Sequence, residues 1–215
     1  MVMKTIKFLI TLMFFLPVIA VASIGEIKVS NGEVTIERAG KFIKGAYSTP
    51  IEEKDIITTK VHSNAQVIFS DGTAVSVGSN SKFNIQEYLY DEQSSKVNFK
   101  ASVTEGAFKA VSGRIGKISP DMFKLKTKTA TIGIRGTRFL GIIPKDGPDT
   151  IACTSGVITV APLKGVDGAP PPKPVEVKAG EMTKVSDGYV ATPQQYNPTQ
   201  IKDIEKLTTR NCGCK

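Results

Sequence analysis

Side chains able to do covalent or acid–base chemistry are scarce in this sequence: three cysteines, Cys153, Cys212 and Cys214, and one histidine, His62. A serine, threonine or cysteine nucleophile ordinarily needs a nearby base, most often histidine, and a third group to orient that base. His62 lies in "TTKVHSNAQ", a turn leading into a strand, and reads as a surface polar residue. Adjacent carboxylates could exchange protons without histidine. However, Glu52-Glu53 falls in a lysine-containing turn and Asp91-Glu92 follows Tyr88 and Tyr90, so both read as solvated loop charges. Zinc usually takes four Cys or His ligands, and three cysteines with one distant histidine do not supply that set. "SGRIGK" has neither the spacing nor the following helix of a phosphate-cradling loop. The expectation is a protein that is not an enzyme and uses neither metal nor cofactor.

The cysteines speak to compartment instead. Lys4 and Lys7 precede an uncharged apolar run over residues 8–24 that contains Pro17 and the small-residue triplet Ala20-Val21-Ala22. That is the layout of a secretory signal peptide over residues 1–22, and it predicts a mature protein in the periplasm or outside the cell, with no stable membrane span. In such an oxidising place cysteines pair, and a bridge from Cys153 to Cys212 or Cys214 would tie the tail back to the body. Losing Lys4 and Lys7 lowers the formal charge from +8 to +6. The excess is spread along the chain without a block of like charges, so nucleic acid is not an expected partner, whereas an anionic envelope surface is compatible.

The elements that must position these residues are strands. Period-two alternation recurs in "EIKV", "EVTIER", "AQVIFS", "TAVSV" and "FNIQEY", then in "VNFKASV", "AFKAV", "MFKLKT", "TATIGI", "RFLGII", "DTIAC", "GVITVA", "PVEVK" and "EMTKV". So many short strands bounded by turn residues predict an all-β sandwich, roll or solenoid. Asn31-Gly32 and Asp71-Gly72 each sit between two such runs and predict hairpins. "KGVDGAPPPKP" (residues 164–174) predicts a stiff surface loop between strands. One helix is expected: Asn197 as N-cap, Pro198 in the first turn, and Ile201, Ile204 and Leu207 on the buried side, docked on a sheet edge or the end of a sandwich.

Two motifs stand out in this framework. Asp71-Gly72-Thr73 forms the first. The second, "TATIGIRGTRF" (residues 129–139), sets Arg135 between Gly133 and Gly136 and adds Thr129, Thr131 and Thr137. Physical reasoning makes it a corner: Gly133 admits a close neighbour, Gly136 supplies a turn or bulge with positive φ, the threonines bridge to adjacent strands, and Arg135 spans the sheet toward carbonyls or a carboxylate, with Asp71 a candidate.

"TATIGIRGTRF" resembles the signature of the FecR domain, an extracytoplasmic all-β module named after a bacterial iron-citrate sensor that regulates an anti-sigma/sigma pair. "GEVTIERAG", "DIITTKVHSNAQVIFSDGTAVSVGSNSKFNIQEY" and "EGAFKAVSGRIGK" agree in order, so the resemblance runs over about residues 25–160. Lys128 and Arg138 depart from the proline and acidic residue expected at those flanks. The resemblance implies a FecR-like domain over residues 23–165, with residues 166–196 packed on it and residues 197–215 forming the helix and cysteine tail. It implies no catalytic residue. The regulatory members also carry a cytoplasmic segment and a membrane span before this domain, so the expected role is an envelope sensing or interaction module that binds a protein or surface glycan. The alternative is a self-associating, adhesin-like structural component.

Overall fold

The structure, a computed structural model, describes residues 23–165 and 169–209. The expected signal peptide, Cys212 and Cys214 lie outside the described residues. The first strands are β1 (Gly25–Asn31), β2 (Val34–Arg38), β3 (Lys41–Lys44), β4 (Pro50–Ile51), β5 (Ile56–Thr59), β6 (Asn64–Phe69), β7 (Ala74–Val77) and β8 (Ser81–Asp91). Then come β9 (Lys96–Val111), the single-turn helix α1 (Ile115–Ile118), β10 (Phe123–Lys126), β11 (Ala130–Ile143) and β12 (Asp149–Pro162). The chain closes with β13 (Val175–Lys178), β14 (Glu181–Ser186), β15 (Tyr189–Val190), β16 (Gln194–Gln195) and helix α2 (Pro198–Thr209).

All sixteen strands join one branched sheet. β9 is its hub: the first part pairs with β8 and, in parallel, with β10, and the last part pairs with β7 and β11. Two ladders diverge from it, β7-β6-β1-β4 and β8-β5-β2-β3. Their alternate residues, among them Ile27, Val67 and Val75 from one ladder and Ile36, Ile57 and Phe83 from the other, bury into one apolar cluster. This is the burial logic of a β-sandwich. The same cluster continues under β10, β11 and β12 through Phe123, Ile132 and Ile158.

The strands are longer than the sequence implies. "VNFKASV" and "AFKAV" are one strand, β9; "TATIGI" and "RFLGII" are β11; "DTIAC" and "GVITVA" are β12. In each case a glycine that reads as a turn stands inside a continuous strand with positive φ: Gly106 at 94°, Gly136 at 61° and Gly156 at 77°. A single left-handed residue bends a strand without ending it. The Asn31-Gly32 expectation is also corrected. β1 pairs with β4 and β6 while β2 pairs with β3 and β5, so Gly32, at φ 71°, turns the chain from one ladder into the other.

Helix α2 starts as its sequence requires. Thr199 N donates to Asn197 Oδ1 and Asn197 N donates to Gln200 Oε1, both at 2.9 Å, a reciprocal capping box. It docks on the sheet's outer face, against Leu140, Ile142, Ala152 and Met182, rather than on an edge. Ile201 and Ile204 are buried there, each worth roughly 1.5–3 kcal/mol in apolar transfer. Leu207 is 40% exposed and Thr208 takes the buried position, because a 3.6-residue period drifts away from a strict three-residue step. No helix among the described residues is long and apolar enough to cross a membrane.

Candidate functional site

Ser70, Asp71 and Gly72 form the loop between β6 and β7, closed by the pair Phe69 and Thr73. Gly72 N donates to Phe69 O and Phe69 N to Thr73 O, both at 2.9 Å, and Gly72 sits at φ 82°. This is a three-residue loop with a glycine bulge, not a two-residue turn. Asp71 is buried and fully engaged: Oδ2 accepts from Thr73 Oγ1 at 2.7 Å and Ile115 N at 3.2 Å, and Tyr88 Oη donates to Oδ1 at 3.2 Å. Arg114 N donates to Asp71 O and Gly113 N to Thr73 Oγ1. The motif therefore pins the segment leading into α1. Burial, with the Asp71 charge beside it, pushes the Tyr88 phenol well above its ordinary value.

The threonine–glycine–arginine motif lies on β11 and divides it. Gly136 and Gly156 face each other at a break in the β11–β12 register; a Cβ on Gly156 would stand 2.3 Å from Gly136 O. Thr129 Oγ1 donates to buried Asp149 Oδ2, bridging strands as expected, and Thr137 N donates to Ser112 Oγ at 3.0 Å. Thr137 Oγ1 is buried without a hydrogen-bond partner among the described residues. Arg135 overturns its expected role. It is exposed, its strand partner in the register is Val157, and its guanidinium makes no hydrogen bond or ion pair among the described residues. Asp71 is occupied elsewhere. The reason is parity: Ile132 and Ile134 point into the core, so Thr131, Gly133 and Arg135 must point out.

That outward face forms an open groove of 630 Å³ lined by Lys124, Thr131, Gly133, Arg135, Thr159 and Glu176 among others. A second concavity shares Lys124 and Thr131 and extends to Lys126, Glu87 and Lys100. The register assembles one row across six strands: Glu87, Lys100, Lys124, Gly133, Thr159, Glu176. At about 4.8 Å per strand the row is ~24 Å long. Gly133 leaves a notch at its middle, where the Thr159 hydroxyl leans in; an added Cβ would lie 2.6 Å from Thr159 Oγ1. On one side of this row stand Lys126 and Thr131, on the other Arg135, Val157 and Lys178. Lys100 bonds Glu87 at 2.7 Å, and that bond, then one from Asn98, holds the Glu87 carboxyl below its ordinary range. Lys124, Lys126, Arg135 and Lys178 have no ion-pair partner among the described residues, and Asp121 and Glu176 stand unpaired at the rim.

The other reactive candidates are apart from this face and hold structure. Glu52 pairs with Arg38 at 2.6 Å, and Glu53 Oε2 accepts from Tyr88 N at 3.1 Å. Asp91 caps a turn through Gln93 N and Ser94 N, and Glu92 pairs with Arg114. His62 is exposed in a turn at φ 56°. Cys153 faces the core; its thiol donates toward Ser155 O and Gly156 O, and burial pushes it up. No group of three potential metal ligands occurs among the described residues. Sequence reasoning missed Lys124, Lys126, Thr159 and Glu176. Their signal was the alternation of "FKLK", "VITV" and "VEVK", which marks an outward set but not which strands stand side by side.

Fold and face together define a class: an all-β module whose strands carry a charged, concave outer surface. Residues 55–159 match the family described as FecR protein, in agreement with the resemblance carried by "TATIGIRGTRF". Two crystal structures of a candidate anti-sigma factor from Parabacteroides distasonis ATCC 8503 share the fold, with TM-scores of 0.52 and 0.51 at 17% and 16% identity. Each match covers 68% of this chain and 62% of the other, so the chain spans about three-fifths of the length of those structures. No curated protein matches the chain.

Proposed function

We propose that this is an exported, non-enzymatic sensing or interaction module of the cell envelope that holds a protein or glycan partner on the groove over β10 to β13. The single observation behind this reading is the set of four unpaired cations around Gly133 on an otherwise ordered sheet face. Exposed charges of one sign on a rigid scaffold favour recognition, since they attract a complementary surface at no conformational cost to the backbone. The FecR match over residues 55–159 supports a regulatory role. The carboxylates best placed for acid–base work are engaged in turns and ion pairs, which favours binding over catalysis.

Fractionation of the native host with intact-mass measurement tests the exported part: a mature chain lacking residues 1–22, recovered outside the cytoplasm, is expected. Cross-linking in intact envelopes tests the interaction, with capture expected for the native chain and lost for a Lys124→Glu/Arg135→Glu double variant. A full-length cytoplasmic chain, or identical capture by both forms, would end this reading. Light scattering addresses self-association, for which concentration-dependent oligomers unaffected by the double variant would be the signature.

A further inference from the structure

The charge pattern of the groove goes further and, resting on the proposed function, points to the chemistry of its occupant. Lys124 stands directly beside the Gly133 notch in the row, with Lys126 two residues along β10, and Arg135 lies two residues from Gly133 on the same side of β11. Lys178 extends the positive field through the Arg135, Val157, Lys178 row. Three acids border it: Glu87 is neutralised by Lys100 at one end of the row, Glu176 ends the row on β13, and Asp121 lines the groove just before β10. The centre is therefore a cationic strip flanked by the hydroxyls of Thr131 and Thr159.

A bound polypeptide would normally either add a strand at a sheet edge or seat apolar side chains in pockets. Its centre is the face of β10, β11 and β12, each hydrogen-bonded on both sides, so strand addition is closed there; only β13, paired with β12 alone, offers an edge, at the far end of the row from Lys126. Its apolar outward residues at the centre, Val157 and Ala161, are small, and no aromatic ring lines the notch beyond Phe123, whose side chain is buried in the core. Neutral sugar rings, for their part, favour amphipathic aromatic surfaces. Carboxylate groups spaced along a hydroxyl-rich chain satisfy what is present: cations at intervals, hydroxyls between them, and a shallow notch where backbone rather than side chain forms the floor. We infer that the groove binds an acidic, uronate-bearing polysaccharide laid across the strands, with carboxylates on Lys124, Lys126 and Arg135.

The test uses the purified chain lacking residues 1–22 and three probes: polygalacturonate, neutral dextran and poly-glutamate. Polygalacturonate should bind, with affinity falling as salt is added. Binding should drop about tenfold or more in Lys124→Glu/Arg135→Glu, a loss of ~1.4 kcal/mol or more. Gly133→Val, which fills the notch, should also weaken it while matched melting curves report the fold. Absence of polygalacturonate binding overturns the inference, as does equal binding of dextran or an undiminished double variant. Tighter binding of poly-glutamate overturns it in favour of an acidic polypeptide. Envelope cross-linking that depends on Lys124 and Arg135, seen without polygalacturonate binding, sinks this inference and leaves the proposed function standing.

Discussion

On one side of the Gly136–Gly156 corner the outer face of β11 and β12 carries Leu140, Ile142 and Ala152 beneath helix α2; on the other it carries Thr131, Arg135 and Thr159 and is open. Both halves are backed by the same core, Phe139 and Ile151 under one and Ile132 and Ile158 under the other. The helix-capped half is thus buried on two sides, as parallel or layered sheets are, and the bare half on one. Covering one half with a short helix while leaving the next polar and charged separates support from recognition within the same pair of strands.

The sharpest way to break this contrast is a cavity on the capped side. Leu140→Ala, at a fully buried position, should cost about 2–5 kcal/mol in denaturant unfolding, whereas Thr159→Ala, on the exposed bare face, should change little. If the two cost the same, the halves are not mechanically different. Next comes the corner between them. Gly156→Ala forces a Cβ against Gly136 O at a φ of 77°, and a loss of roughly 1–3 kcal/mol is expected; an unchanged midpoint would mean the corner is dispensable.

The aromatic backing of the bare half gives a pH test. Phe99 stacks on Phe123 with centroids 4.4 Å apart, and Tyr88 packs beside Phe69 and reaches Asp71. Because the Tyr88 phenol is raised above its ordinary 10.0 in the folded chain, the unfolded chain releases that proton first as pH rises. Stability from this group is therefore complete below about pH 10 and is lost above it. Unfolding monitored from pH 8 to 11 should show that decline, and Tyr88→Phe should flatten it. The smallest effect belongs to the bare surface: Arg135→Ala should leave stability within about 0.5 kcal/mol. A large loss there would return Arg135 to a structural role.

The strand content, the β6–β7 hairpin at Asp71-Gly72, the positive φ of Gly136 and the N-cap at Asn197 were legible because each is written in local residues. What sequence could not supply was long-range. Gly106, Gly136 and Gly156 read as ends of strands, since a positive φ serves a turn and a bulge equally well and only cross-strand pairing separates the two. Arg135 read as an internal tie because its flanks are apolar; its parity puts it outside, and only the extent of α2 decides that this outside is uncovered. Asn31-Gly32 carried a hairpin signature, yet the buried alternation of β1 and β2 assigns them to different ladders.

The hub position of β9 has a kinetic corollary. Both early ladders wait for residues 96–111, so residues 25–91 alone hold two curtains with no common rail. Such a chain gains its cooperative structure late, since non-local pairings must be closed before they stabilise anything.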